Sequence, residues 1–141
     1  MAENDELDLI EEFNKAEDPD KKTNLLINLC QLNANKEDGI PVALKYAAIA
    51  SIVTASPRAD VCCLLGELYL KTGNLKWAEI WFKHALLNIG NCDLSYSIIY
   101  PMRRLGDIAL IKGNMEDKEL YDNAIKVLYP DFEPENINIL I

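Results

Sequence analysis

A chain of 141 residues, 50% of them apolar and 26% charged, can bury one continuous core and is too apolar to remain disordered over most of its length. Its net charge of −9 excludes nucleic acid as an expected partner, because no basic stripe is present to release counterions from phosphates. Lys, Asp or Gly interrupts every apolar stretch well before it could span a bilayer, so no membrane partner is expected.

The acids concentrate at the two ends. Residues 1–22 hold nine acids and three bases (−6), residues 115–141 seven acids and two bases (−5), and residues 23–114 seven acids and nine bases (+2). Such ends act in solubility. The opening Met1-Ala2-Glu3-Asn4-Asp5-Glu6 is acidic where a signal peptide would be basic and then apolar, so a cytoplasmic location is expected. Cys30, Cys62, Cys63 and Cys92 contain no C-x-x-C pair, three of them lie in or beside apolar runs, and His84 is the only histidine. Buried reduced thiols are expected, with no metal site and no cofactor.

Taken in chain order, the apolar spacing is helical throughout. Leu7, Ile10 and Phe13 step by three in a short opening helix. Asp18 caps a second helix with Pro19 at its first position, and Leu25, Leu26, Leu29 and Leu32 form its apolar stripe. Polar residues 33–39 read as a loop, and Pro41 starts a third helix with small residues Ala43, Ala47 and Ala50 along one side. Ser56-Pro57 reads as a cap and helix start, leading to a fourth helix with Cys62, Leu65, Gly66 and Tyr69 on one face. Gly73 closes it and Asn74 caps a fifth, where Ala78, Trp81, Phe82 and Ala85 share a face; Gly90 ends that one. Asp93 caps a sixth helix running to Lys112, with Pro101 as a kink or as its true start. Gly113-Asn114 repeats the stop-and-cap pair before a seventh helix carrying Leu120, Tyr121, Ala124, Ile125 and Leu128. Pro130 and Pro134 break the chain into an apolar tail expected to pack back on the last helix.

One helix is written twice. Leu65-Gly66-Glu67-Leu68-Tyr69-Leu70-Lys71-Thr72-Gly73-Asn74 aligns without gaps, at a period of 40, with Leu105-Gly106-Asp107-Ile108-Ala109-Leu110-Ile111-Lys112-Gly113-Asn114. A glycine inside a helix costs about 1 kcal/mol against alanine. Its presence at the same place in both copies predicts that a neighbouring helix approaches there too closely for a side chain, as in stacked helical hairpins.

The residues then reach a known family. Cys62-x-x-Leu65-Gly66-x-x-Tyr69 followed by Ala78-x-x-x-Phe82-x-x-Ala85 resembles the tetratricopeptide repeat, with Cys62 in place of its tryptophan and Gly90 in place of its closing proline. Leu105-Gly106 with Tyr121-x-x-Ala124 is a weaker copy, and Ala43-x-x-x-Ala47-x-x-Ala50 followed by Pro57 resembles the second helix of a degenerate first one. The resemblance implies an all-α fold: a right-handed α-α superhelix of about three hairpins and about seven helices. Residues 1–17 would form an acidic N-terminal helix, residues 18–130 the repeats (18–56, 57–92 and 93–130), and residues 131–141 a C-terminal tail. More narrowly, Ala43-Leu44-Lys45-Tyr46, Ser56-Pro57-Arg58-Ala59-Asp60-Val61-Cys62-Cys63, Ala78-Glu79-Ile80-Trp81-Phe82 and Tyr100-Pro101 resemble the helical repeat region attached to some bacterial family 2 glycosyltransferases.

By the same resemblance the first helix of each pair lines a concave groove. That makes Asp60, Cys63, Glu67, Lys71, Tyr100, Arg103 and Asp107 the candidate partner contacts, with ordinary surface ion pairs as the plainer reading. Asp18-Pro19-Asp20 spells a D-x-D motif, but a helix cap and first-turn acid account for it. Trp81 and Phe82 fit core packing and Trp77 partial exposure, while His84 has no evident third group to orient it beside Cys63 or Cys92. No catalytic residue is expected, and an enzyme would require a deep pocket with a perturbed acid or thiol. The expected function is binding of a protein or peptide partner, or else service as an accessory domain of a glycosyltransferase. An uncapped repeat end adds homo-oligomerisation to the expectations.

Overall fold

The structure is a computed structural model that describes residues 2–88 and 98–131, the first three of these by backbone alone. Seven helices account for it: α1 (Ala2–Lys15), α2 (Pro19–Ala34), α3 (Ile40–Val53), α4 (Ala59–Lys71), α5 (Leu75–Leu87), α6 (Ile99–Ile111) and α7 (Met115–Leu128), with no strand among the described residues. The contacts are serial. The closest pairs are α2 with α3, α4 with α5 and α6 with α7, and each hairpin packs on the next through α3–α4 and α5–α6, while α1 lies on α2. The fold is an all-α stack of three hairpins behind one leading helix.

The repeated sequence makes repeated turns. Gly73 and Gly113 take left-handed φ values of 80° and 76°, a conformation that costs a residue with a side chain about 1 kcal/mol or more. The amides of Asn74 and Asn114 then reach back to the carbonyls of Tyr69 at 2.9 Å and Ala109 at 2.8 Å. Each asparagine side chain in turn caps the following helix, accepting from the amides of Trp77 and Asp117, both at 3.2 Å. Asp18 caps α2 in the same way, accepting from the Lys21 amide at 3.1 Å with Pro19 at the first helical position.

Elsewhere the boundaries shift. The amino end of α4 is at Ala59, after Arg58, so Ser56-Pro57 precedes the helix rather than capping it. Pro101 sits in the first turn of α6, where its missing N–H leaves no bond unmade; Asp93 and Gly90 lie outside the described residues. The expected tail also lies outside them, apart from Asp131.

The core forms two clusters that share α4. Val61, Leu64, Leu65 and Leu68 pack with Leu26, Leu29 and Cys30 of α2 and with Ala43, Ala47 and Ala50 of α3. Cys62 and Cys63 pack instead with Ala78, Phe82 and Ala85 of α5 and with Tyr100, Leu105 and Ile108 of α6. Every residue from 59 to 68 is therefore buried, and α4 has no solvent face over that span. A helix between two hairpins is covered on both sides, which the expectation of one packed face did not include.

The leading helix is registered differently from its expected stripe. Leu7 is exposed, and Leu9, Ile10 and Phe13 pack against the first cluster. Glu6 completes that face by accepting from Lys36 Nζ at 2.9 Å, Tyr46 Oη at 3.1 Å and Asn33 Nδ2 at 3.3 Å. The hydrogen bond from Lys36 leads the causes that hold the Glu6 carboxyl below its usual range. A carboxyl depressed on folding stabilises the docked state above its unfolded pKa and loses that contribution as pH falls through the folded value. As pH falls from about 5 to about 3, the protection of the α1 amides, measured against their intrinsic exchange at each pH, should drop before that of α4, and this drop should be absent in Glu6→Gln.

Candidate functional site

Tyr100, Glu67, Arg103 and Asp107 meet where α4 packs beside α6. Glu67, 3% exposed, accepts from the hydroxyl of Tyr100 at 2.7 Å and from Nε of Arg104. Arg104 also donates to Asp107 at 3.1 Å and lies 5.8 Å from the centre of the Tyr100 ring. Tyr100 is buried, with its ring 6.4 Å from that of Phe82. Arg103 approaches the other oxygen of Asp107 at 3.8 Å, and both side chains are about one-third exposed. A buried carboxylate thus holds two donors from the next hairpin, which fixes the spacing and rotation of α4 against α6.

The other candidates stand apart from this group. Asp60 is buried at the start of α4, bound in a two-point ion pair by Arg58, whose Nε lies 3.1 Å from one carboxylate oxygen. Arg58 also donates to Asn24 of α2 at 2.9 Å, so this pair pins the second hairpin to the first. Cys63 is 1% exposed inside the second cluster. Lys71 is exposed at the carboxyl end of α4. Of the seven candidates, Lys71, Arg103 and Asp107 reach solvent, while Asp60, Cys63, Glu67 and Tyr100 face the interior.

Arg58 and Arg104, the two arginines that organise these pairs, were not among the sequence candidates. A signal for Arg104 exists in hindsight: it precedes Asp107, the repeat counterpart of Glu67, by three residues on the same helix. Arg58 gives no comparable signal, because its partner Asp60 is a neighbour in sequence and its burial is decided by other helices.

The chemistry of the remaining groups is quiet. Burial pushes the thiols of Cys30 and Cys62 up to about 12, which removes them as nucleophiles at neutral pH; the negative charge of Asp60 adds to the effect at Cys62. His84 is exposed on α5 and rests beside Trp81, with ring centres 5.4 Å apart, whereas Cys63 is buried; Cys92 lies outside the described residues. Asp18 is occupied as a cap, and Asp20 is an exposed partner of Arg58 at 3.9 Å. No group of three or more His, Cys, Asp or Glu able to hold a metal occurs among the described residues. Trp77 is 45% exposed and Phe82 fully buried, as the spacing predicts.

Glu79 of α5 pairs with Lys83 on its own helix and with Lys112 at the end of α6, each at 2.9 Å. The hydrogen bonds from Lys112 and then Lys83 hold its carboxyl below the usual range. The three side chains are partly exposed, so each pair contributes only a few tenths of a kcal/mol. No helix among the described residues is long and apolar enough to cross a membrane. Compared with known proteins, the chain matches no family model, no curated protein and no solved structure.

Proposed function

We propose that this chain is a non-catalytic scaffold of tetratricopeptide type, a right-handed superhelix of three hairpins that binds a protein or peptide partner along a preformed surface. The observation that carries the reading is the Glu67 bridge. By joining α4 to Tyr100 and Arg104 of α6, it holds two hairpins in one arrangement before any partner arrives. A partner that docks on a rigid surface loses its own freedom but does not have to order the receptor. Lys71 and Arg103 would read acidic groups of the partner and Asp107 basic ones, setting choice more than total affinity. The narrower resemblance makes a sugar transferase or its acceptor protein the first partner to test, with the chain as an accessory domain.

The test is the double variant Lys71→Ala, Arg103→Ala. Both side chains reach solvent, so the thermal midpoint should stay within about 2 °C of the parent. Affinity for a partner recovered from the native cytoplasm should fall by about 10-fold. Unchanged affinity, or binding and folding lost together, would refute the assignment of these residues.

A further inference from the structure

The second helices of the three hairpins turn equivalent sides outward. Ala43, Ala47 and Ala50 of α3 are buried, and 35 residues on Ala78, Phe82 and Ala85 of α5 are buried in the same order. Ile125 of α7, also buried, follows Ala85 by 40. On this register Val42, Lys45, Ile49 and Ile52 of α3 correspond to Trp77, Ile80, His84 and Leu87 of α5. Their counterparts on α7 are Asp117, Leu120, Ala124 and Val127. Seven of these twelve positions carry large apolar side chains between 38% and 81% exposed, too regular a set for apolar residues scattered singly over a surface. Trp81 packs on both core clusters, and Glu79 of α5 lines one cleft with Asp117 and Tyr121 of α7, so the three outer stripes lie side by side.

Charge on this face is divided between its edges. Lys45 is the only charged residue of α3, whereas α7 holds four acids and two bases. Lys118 pairs with Asp122 within α7 at 2.7 Å. Glu116 and Glu119 stay exposed, and among the described residues neither they nor Lys45 has an ionic partner. A face that is basic at one edge, acidic at the other and apolar between is complementary to itself turned end for end. A two-fold axis through α5 and parallel to the helices lays α3 of each copy on α7 of the other, both pointing the same way. Lys45 and Leu120 then share a level, which brings Lys45 within one turn of Glu116 and Glu119 and sets Ile52 against Val127. An axis along the stack would instead set α7 on α7, acids against acids.

We propose that two copies of the chain pair through this outer face, with α5 against α5 at the two-fold axis and α3 of each copy against α7 of the other. Trp77 and Leu87 supply the apolar centre, and Lys45 with Glu116 and Glu119 the charged edges, the arrangement of a specific interface. The pair closes on itself, whereas hairpins stacking end to end would grow into an open series. Lys71 and Arg103 belong to first helices, α4 and α6, and are left for a further partner.

The test uses the full chain alone, so its outcome is independent of the function proposed above. Sedimentation equilibrium should show a single monomer–dimer equilibrium, with no larger species as concentration rises. In the double variant Ile52→Ser, Leu87→Ser, whose sites are about four-fifths exposed, helix content and thermal midpoint should persist while the dimer dissociation constant rises at least about 10-fold. Lys45→Glu and Glu119→Lys should each weaken self-association by about 10-fold, and an equimolar mixture of these two single variants should recover the parent affinity as a heterodimer. A chain that stays monomeric up to about 100 µM would leave the face to a different protein and overturn the proposal. So would a series of species that lengthens with concentration, or a dimer that none of these substitutions weakens. A mixture no tighter than either variant alone would overturn the placing of α3 on α7.

Discussion

Replacing Glu67 by alanine should destabilise the chain by about 3–5 kcal/mol, the cost of leaving a buried charge without its partner. The side chain of Glu67 is 4% exposed and that of Arg104 18%, so water replaces little of what is removed. Tyr100, also buried, would lose the acceptor that its hydroxyl reaches at 2.7 Å. Asp107, already 3.1 Å from Arg104, softens the loss at the guanidinium but does nothing for the hydroxyl. Glu67→Gln keeps an acceptor and the volume and should cost less than alanine, with the difference reporting the ionic part. In a serial stack the damage has a location. The bridge joins the second hairpin to the third, so the loss falls on one nearest-neighbour interface. Urea unfolding followed by circular dichroism should show the midpoint falling and the slope decreasing, as α6 and α7 begin to melt ahead of the rest. A parallel shift of the whole curve with an unchanged slope would mean that the hairpins remain coupled without the bridge.

Most of the architecture was legible because it is written in local backbone signals. Gly73-Asn74 and Gly113-Asn114 specify a left-handed stop and a side-chain cap without reference to anything distant, and both turns form as read. Asp18-Pro19 is a signal of the same kind. Ala43, Ala47 and Ala50 mark a close helix contact by size alone, and all three are buried. The candidate site was far less legible. Asp60 and Glu67 are charged and fall at regular steps, which reads as a solvated groove. Their burial follows from hairpins on both sides of α4 and from Arg58 and Arg104, whose placement depends on tertiary packing. In α1 the apolar step of three pointed to Leu7, yet an acid holds the inward position because Asn33, Lys36 and Tyr46 converge on it from α2, the following loop and α3. Polarity patterns report the average environment of a side chain, and a fully paired buried carboxylate is the exception they miss.

Alanine at the two repeated glycines should give effects of opposite sign, although their sequences align without a gap. A Cβ at Gly66 would lie 2.7 Å from two ring carbons of Phe82 and 2.9 Å from a third. That ring is fully buried and cannot swing aside, so the core must shift, at about 1–3 kcal/mol. A Cβ at Gly106 would meet its nearest neighbours, on Tyr121 and Asp122, at 3.7 Å, which is ordinary contact. There alanine recovers the propensity that glycine loses inside a helix and should stabilise by about 0.5–1 kcal/mol. The divergence has a residue-level cause, because the position sixteen further on is Phe82 in the first copy and Asp122 in the second. Expecting both glycines to be required treated the helix as the unit of equivalence, when the tight contact belongs to a pair. A cycle with Phe82→Leu isolates that pair. The smaller side chain costs stability by itself, but the further penalty of Gly66→Ala should shrink by at least about 1 kcal/mol in its presence. Additive penalties would place the strain of Gly66→Ala in the backbone instead of the ring.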